Sequence, residues 1–234
     1  MIPVMQFAFA GLNVGTSGAG GGYTGLTWIG SDEEGGFDEA PYNFTSVNFT
    51  ASGTSTNNKV IVAVGLDRGT ITGVTVQGGA ASLVAELTQG SGDTRVHVAI
   101  YISSFSPGGD NSIVIETDVV SGNNDESVGF GVWTVNMTSP TAYDTASGTD
   151  TDTNITSTID LPANGFCVGL STRLTGGTHT INASFTERAE LSSTDMSLAF
   201  SDRATVPEVI NESVTDTWSA SGQRIMSVFA SFAG

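Results

Sequence analysis

The feature that most constrains this chain is its rhythm. Short runs of β-branched and aromatic residues alternate with Gly, Asn, Asp and Pro clusters roughly every 8–15 residues, and no stretch shows helical apolar periodicity. The runs are Asn43–Ala51, Lys59–Leu66, Ile71–Gln77, Ala81–Leu87, Thr94–Ile102, Ser112–Glu116, Ser127–Met137, Ile155–Leu161, Phe166–Thr172, His179–Phe185, Met196–Ser201 and Arg224–Phe232. Strand following strand with no helix between them predicts an all-β chain of antiparallel sheets packed as a sandwich. Val128, Phe130 and Val132 point one way and Trp133 and Val135 the other, the pattern of a central strand covered on both faces. Val96, Val98 and Ile100 alternate with His97, Ala99 and Tyr101, which predicts a strand wet on one face. Gly78-Gly79 reads as a hairpin turn, and Pro107 and Pro162 each preset a turn.

Two segments break the rhythm. Gly11–Gly36 is rich in Gly and Ser, with Tyr23, Leu26, Trp28 and Ile29 embedded, which predicts irregular chain wrapped over a neighbour. Residues 1–40 are therefore read as a Gly-rich irregular N-terminal arm, and 41–234 as one β-sandwich domain. Asp202–Thr217 is read as a second irregular stretch, and no internal repeat is visible. The opening MIPVMQFAFAG lacks a Lys or Arg before its apolar run and is short for a secretory signal, so it reads as a strand or an extended arm. No other segment approaches the ~18 apolar residues of a membrane span, so no membrane partner is expected.

Charge narrows the partners. The chain carries 24 acidic and 7 basic residues, a formal charge of −17, and Lys59 is its only lysine. Such a chain repels phosphate backbones, which argues against nucleic acid. Cys167 stands alone, ruling out an intrachain disulfide and a thiolate metal site; its apolar surroundings predict a buried inert thiol.

Motifs for chemistry are weak. Gly20, Gly22 and Gly25 satisfy G-x-G-x-x-G but follow no predicted strand and open no helix. There is no G-x-S-x-G. His97 and His179 fall inside strands, where sheet roles are expected rather than general-base catalysis, and short-spaced metal partners are missing. The acids Asp32, Glu33, Asp38 and Glu39 share a Gly-rich segment. Glycosidases hold two carboxyls about 5–10 Å apart beside aromatic platforms. Here a solvated face or a weak calcium site is expected instead, with Trp28 and Trp218 as candidate sugar-stacking platforms and Trp133 as core. Asp150-Thr-Asp152-Thr-Asn154 opens like an EF-hand loop, but Ile155 stands where Gly is needed and Leu161 where Glu is needed. It reads as an exposed loop entering a strand. No catalytic residue, cofactor or metal is expected.

One succession of segments resembles a known group. Ile71-Thr-Gly-Val-Thr-Val-Gln-Gly-Gly-Ala-Ala-Ser-Leu-Val84, Val96-His-Val-Ala-Ile-Tyr101, Phe105-Ser-Pro-Gly-Gly, Gly129-Phe-Gly-Val-Trp-Thr-Val, Asp144-Thr-Ala and Leu161-Pro-Ala-Asn-Gly-Phe look like small β-sandwich proteins among tailed-bacteriophage structural genes. The resemblance covers roughly residues 55 to 234 and implies a jelly-roll-like, non-enzymatic virion component. A capsid decoration (cement) protein on the outer surface of the particle is the first expectation, and a tail or fibre-associated receptor- or carbohydrate-binding sandwich is the alternative. The implied partners are the major capsid protein, or a tail protein, and copies of the chain itself, with a trimer favoured. Ile2, Val4, Phe7, Phe9, Tyr23 and Trp28 are the residues expected at the interface.

Overall fold

A computed structural model describes residues 23–35, 41–45, 47, 49, 55–91, 94–108, 111–118, 127–174, 176–182, 184–193, 195–204, 207–219 and 224–234. Among them the regular elements are strands, apart from one short 3-10 turn at Ser55–Asn57. The first nine strands are β1 (Tyr23–Gly35), β2 (Tyr42–Phe44), β3 (Asn58–Asp67), β4 (Ile71–Val76), β5 (Gly79–Ala80), β6 (Ser82–Gln89), β7 (Val96–Ser104), β8 (Ile113–Thr117) and β9 (Ser127–Met137). After a short connector come β10 (Asp144–Asp150), β11 (Asn154–Leu161), β12 (Phe166–Leu174), β13 (His179–Ile181), β14 (Thr186–Ser192), β15 (Met196–Ala204), β16 (Val209–Trp218) and β17 (Ile225–Phe232).

These strands form four antiparallel sheets, and burial stacks them in a fixed order. The outer sheet β2-β8-β4-β5 lays Tyr42, Phe44, Val74, Ile113 and Ile115 on Val60, Val62, Val64, Phe130 and Val132 of the five-stranded sheet β1-β9-β3-β7-β6. The other face of that sheet packs Ile61, Ala63, Val98, Ile100 and Trp133 against Val168, Leu170, Leu198, Phe200 and Val228 of a second five-stranded sheet, β10-β17-β12-β15-β14. Cys167 and Phe229 on the far face of that sheet meet Ile159, Leu161 and Val214 of β11-β16-β13. Each fully buried Leu, Ile or Phe contributes about 1.5–3 kcal/mol, so the two inner sheets hold most of the apolar stabilisation. The antiparallel sandwich expected from the strand rhythm is present.

The stack explains where sequence and structure part. Strand β7 is buried on both faces, not wet on one, because each face has its own covering sheet. Residues 23–35, read as part of an irregular arm, form β1: they pair with β9 through two register shifts, one spanning Gly25 and Leu26 and one at Ile29. The stretch read as irregular from Asp202 to Thr217 ends β15 and supplies most of β16. The hairpin turn sits one residue earlier than expected. Val76 pairs with Gly79, leaving Gln77 (φ 51°) and Gly78 (φ 74°) as the two central residues, both in the positive-φ region of a type I′ turn.

The strand orders also expose a repeat. Replacing β1, β9, β3, β7, β6 by β10, β17, β12, β15, β14 converts one five-stranded sheet into the other, and β2, β8, β4 correspond to β11, β16, β13 in the outer sheets. The match extends to detail. Ala85-Glu86-Leu87 and Ala189-Glu190-Leu191 occupy the same register, pairing with Ile100, Ala99, Val98 and with Phe200, Ala199, Leu198. Each tripeptide follows a register shift, between Leu83 and Ala85 in one half and between Glu187 and Ala189 in the other. Contacts between the halves are reciprocal: β1 lies along β14, and β10 along β6. That reciprocity is how two copies of one surface meet in a symmetric dimer.

Candidate functional site

The two reciprocal seams are equivalent places with different chemistry. In the first, β1 meets β14 and β15, and a small cavity of about 210 Å³ is lined by Tyr23, Leu26, Ser184, Thr186, Arg188 and Asp202 among others. Arg188 grips the buried Asp202 with two hydrogen bonds, Nε to Oδ2 at 2.7 Å and Nη2 to Oδ1 at 2.8 Å. The Trp133 indole N–H, from the other half, donates to the same carboxylate at 2.7 Å. Arg203 pairs with Glu212 beside it. Both cations are already neutralised, so this seam is a closed joint.

The second seam lacks that ion pair. By register Val84 and Ile102 stand where the other half has Arg188 and Asp202, and Leu83 stands where it has Glu187. A cleft of about 680 Å³ opens there between Gly79–Val84, the end of β7 with Lys59, and the connector Pro140–Ala142. Leu83 is 47% exposed at its rim. Lys59 donates to Ser104 Oγ at 2.7 Å. The opening has a mixed polar and apolar lining and sits at the edge of an inner sheet.

Both histidines are consumed by the fold. The Ile71 backbone N–H donates to His97 Nδ1 at 2.8 Å, so Nε2 carries the proton and gives it to Glu86 at 3.1 Å. Burial lowers the pKa of His97 despite the Glu86 charge. His179 lies between Glu187 (Nδ1, 2.7 Å) and Asp216 (Nε2, 2.9 Å), with its ring 4.9 Å from that of Trp218 and its backbone N–H on Glu190. Burial disfavours its charge, but the hydrogen bonds and charges of Asp216 and Glu187 outweigh that and raise its pKa. Two carboxylate acceptors require both ring nitrogens to carry protons, which leaves neither nitrogen for a substrate.

The other candidates separate. Asp32 and Glu33 are consecutive on β1 and pair with Phe130 and Gly129, so they project to opposite faces and form no catalytic pair. Burial raises the pKa of both. Asp38 and Glu39, with Gly20 and Gly22, lie outside the described residues. Asp150 accepts from the backbone N–H groups of Thr151 (2.6 Å) and Asp152 (3.0 Å), tying the β10–β11 turn. Among the described residues no group of three or more His, Cys, Asp or Glu side chains is arranged to hold a metal.

Trp133 and Trp218 offer no face to a sugar. Trp218 is buried and donates to Ser171 Oγ at 3.0 Å, and Trp133 is fully buried. Trp28 is half-buried, with its ring 4.8 Å from that of Trp133 and packed against the core. Tyr23 lines the closed seam and packs on Phe166 at 4.8 Å. Ile2, Val4, Phe7 and Phe9 lie outside the described residues. The open cleft was not legible in the sequence; its signal is the pair Leu83-Val84 standing where the repeat carries Glu187-Arg188. Comparison with protein-family models, curated proteins and solved structures returns no match for the chain.

Proposed function

We propose that this chain is a non-enzymatic structural component of a tailed-bacteriophage particle, a decoration (cement) protein that binds the major capsid protein from outside. The observation that carries this reading is the strand order, given twice. Lettering eight strands of a half B to I in chain order, with the two-residue β5 left out of the first half, the inner sheet runs B-I-D-G with F at its edge, and the outer sheet holds C-H-E. That order supports the finer description of each sandwich as jelly-roll-like, an architecture used for viral capsid and lectin domains. Burial of Trp133 and Trp218 favours the capsid use over the lectin use. The charge of −17 suits an outer position away from packaged nucleic acid. On this reading the chain is a homo-oligomer, with a trimer favoured, that buries apolar surface across capsomer junctions and stabilises the shell by mass action.

The test adds the purified chain to heads lacking it. Saturable co-sedimentation and a higher head-disruption temperature are expected. Absence of binding to heads overturns the proposal, and glycan-array binding in its place selects the tail receptor-binding alternative.

A further inference from the structure

The two buried histidines fasten equivalent places with opposite chemistry. Glu86 and Glu190 hold the same register position in the two halves, opposite Ala99 and Ala199. Each contacts a histidine where an inner-sheet edge meets its covering sheet. In the first half the ring belongs to the inner strand β7 and reaches outward to β4. In the second it belongs to the outer strand β13, the counterpart of β4, and reaches inward to β14. Ser197 stands at the register position of His97, so the two rings are not copies of one residue.

The first ring works only when neutral. His97 Nδ1 accepts the Ile71 N–H at 2.8 Å, and only an unprotonated nitrogen can accept. A second proton would set N–H against N–H at a side chain with no exposure. Glu86 from β6 faces the ring, with Asp118 and Arg95 flanking it. Arg95 also donates to Thr70 and Asp118, so the ring sits inside the crossover by which the chain passes from β3 to β4.

The second ring works only when charged. Glu187 from β14 and Asp216 from β16 each take one ring N–H, and Glu190 from β14 takes the backbone N–H. Loss of a ring proton leaves one carboxylate without its donor and three carboxylates around an uncharged ring. Asp216 Oδ2 is buried with no hydrogen-bond partner, so this side chain depends on the ring through its other oxygen. Strand β13 is three residues long and lies at a sheet edge, and His179 ties it directly to the inner sheet.

We propose that the histidines are opposed pH latches: acid frees the β4 crossover of the first half by protonating His97, and alkali frees β13 of the second by deprotonating His179. Burial lowers the pKa of His97; at His179 burial opposes the charge, but Asp216 and Glu187 prevail and raise the pKa. The first latch therefore holds above the His97 pKa and the second below the His179 pKa, which leaves an interval in which both are shut. The inference holds or fails apart from the particle assignment, because it is read on the purified chain alone.

The measurement is nuclear magnetic resonance of the full, nitrogen-15-labelled chain from pH 5 to pH 9.5. At pH 7 the imidazole nitrogens should show one proton on His97, at Nε2, and two on His179. As His97 gains its second proton, protection of the Ile71 amide from solvent exchange, corrected for the intrinsic rate, should fall about tenfold or more. The His179 amide should lose protection likewise as its ring is deprotonated. Glu187→Gln, at a side chain 31% exposed, should weaken proton binding by His179 about tenfold and leave the His97 transition in place. A His97 proton on Nδ1 or a neutral His179 at pH 7 overturns the proposal. So does either ring keeping one state across the range, amide protection that ignores the ring titrations, or a Glu187→Gln chain with an unmoved His179 transition.

Discussion

Leu198 occupies the space in which Gly129 would otherwise carry a side chain. A Cβ on Gly129, or on Gly65 beside it, would fall inside the Leu198 methyl groups, and one on Gly131 would lie 2.5 Å from the Phe200 ring. Three glycines on one inner sheet thus accept two large side chains from the other. Gly129→Ala should cost about 1–3 kcal/mol by overpacking, a fall of ~2–4 °C in Tm per kcal/mol for a chain of this size. Adding Leu198→Ala to that background should recover part of the loss, measured by thermal unfolding of both single variants and the pair. Additive losses would show that the two residues do not share this space.

The Arg188–Asp202 pair closes one seam, and its counterpart Val84–Ile102 shows an apolar alternative. Asp202→Ile alone strands Arg188, of which the side chain is only 14% exposed, and also removes the Trp133 acceptor. A cost of about 3–5 kcal/mol is expected, because an uncompensated charge is left behind. Adding Arg188→Val should reduce that cost, and a double-mutant cycle in urea measures the coupling.

Three buried groups give stability a pH dependence of known sign. The raised pKa of His179 means that its contribution is complete below the unfolded value of 6.5 and is lost as pH rises through the folded value. Asp67 is pushed up to about 6, mainly by burial and against the opposing charge of Arg68, so it too favours the folded state at low pH and loses that advantage between 3.8 and about 6. His97 has the opposite sign: its pKa is lowered, so its contribution is present above 6.5 and lost as pH falls through the folded value. Tm measured from pH 4 to pH 8 should therefore fall less steeply at its alkaline end in His179→Gln than in the parent. Asp67→Asn should raise Tm at pH 7 and have little effect at pH 4.

Cys167 is fully buried, and burial pushes its thiol pKa up, so the thiolate does not form in the folded chain at neutral pH. A thiol reagent should label it only as fast as the chain opens. Labelling rates that rise with urea in step with unfolding are expected; rapid labelling of the folded chain would show that the β11-β16-β13 sheet does not cover it.

Strands carrying apolar runs were legible because packing selected their residues. Ser127–Met137 and Ile71–Val76 show this, since each apolar side chain meets a covering sheet. Strand β10 reads Asp-Thr-Ala-Ser-Gly-Thr-Asp and β14 reads Thr-Glu-Arg-Ala-Glu-Leu-Ser; both sit at sheet edges, where few of their residues are large apolar side chains and composition carries little signal. The repeat was hidden because equivalent positions face different partners: Gly129 corresponds to Met226, and Val84 to Arg188. Only Ala-Glu-Leu survived in both halves as readable sequence. The seams were illegible for a further reason, since each is assembled from strands far apart in the chain.

The glycine-lined face has a consequence in time. Residues 23–137 complete the first inner sheet and its outer cover, but the partner for Ile61, Val98, Ile100 and Trp133 is drawn from residues 166–232. During synthesis at ~5–20 residues per second, that oily surface waits on the order of ten seconds for its lid. The nascent chain is most vulnerable in that interval, and its vulnerability is set by the order in which the halves leave the ribosome.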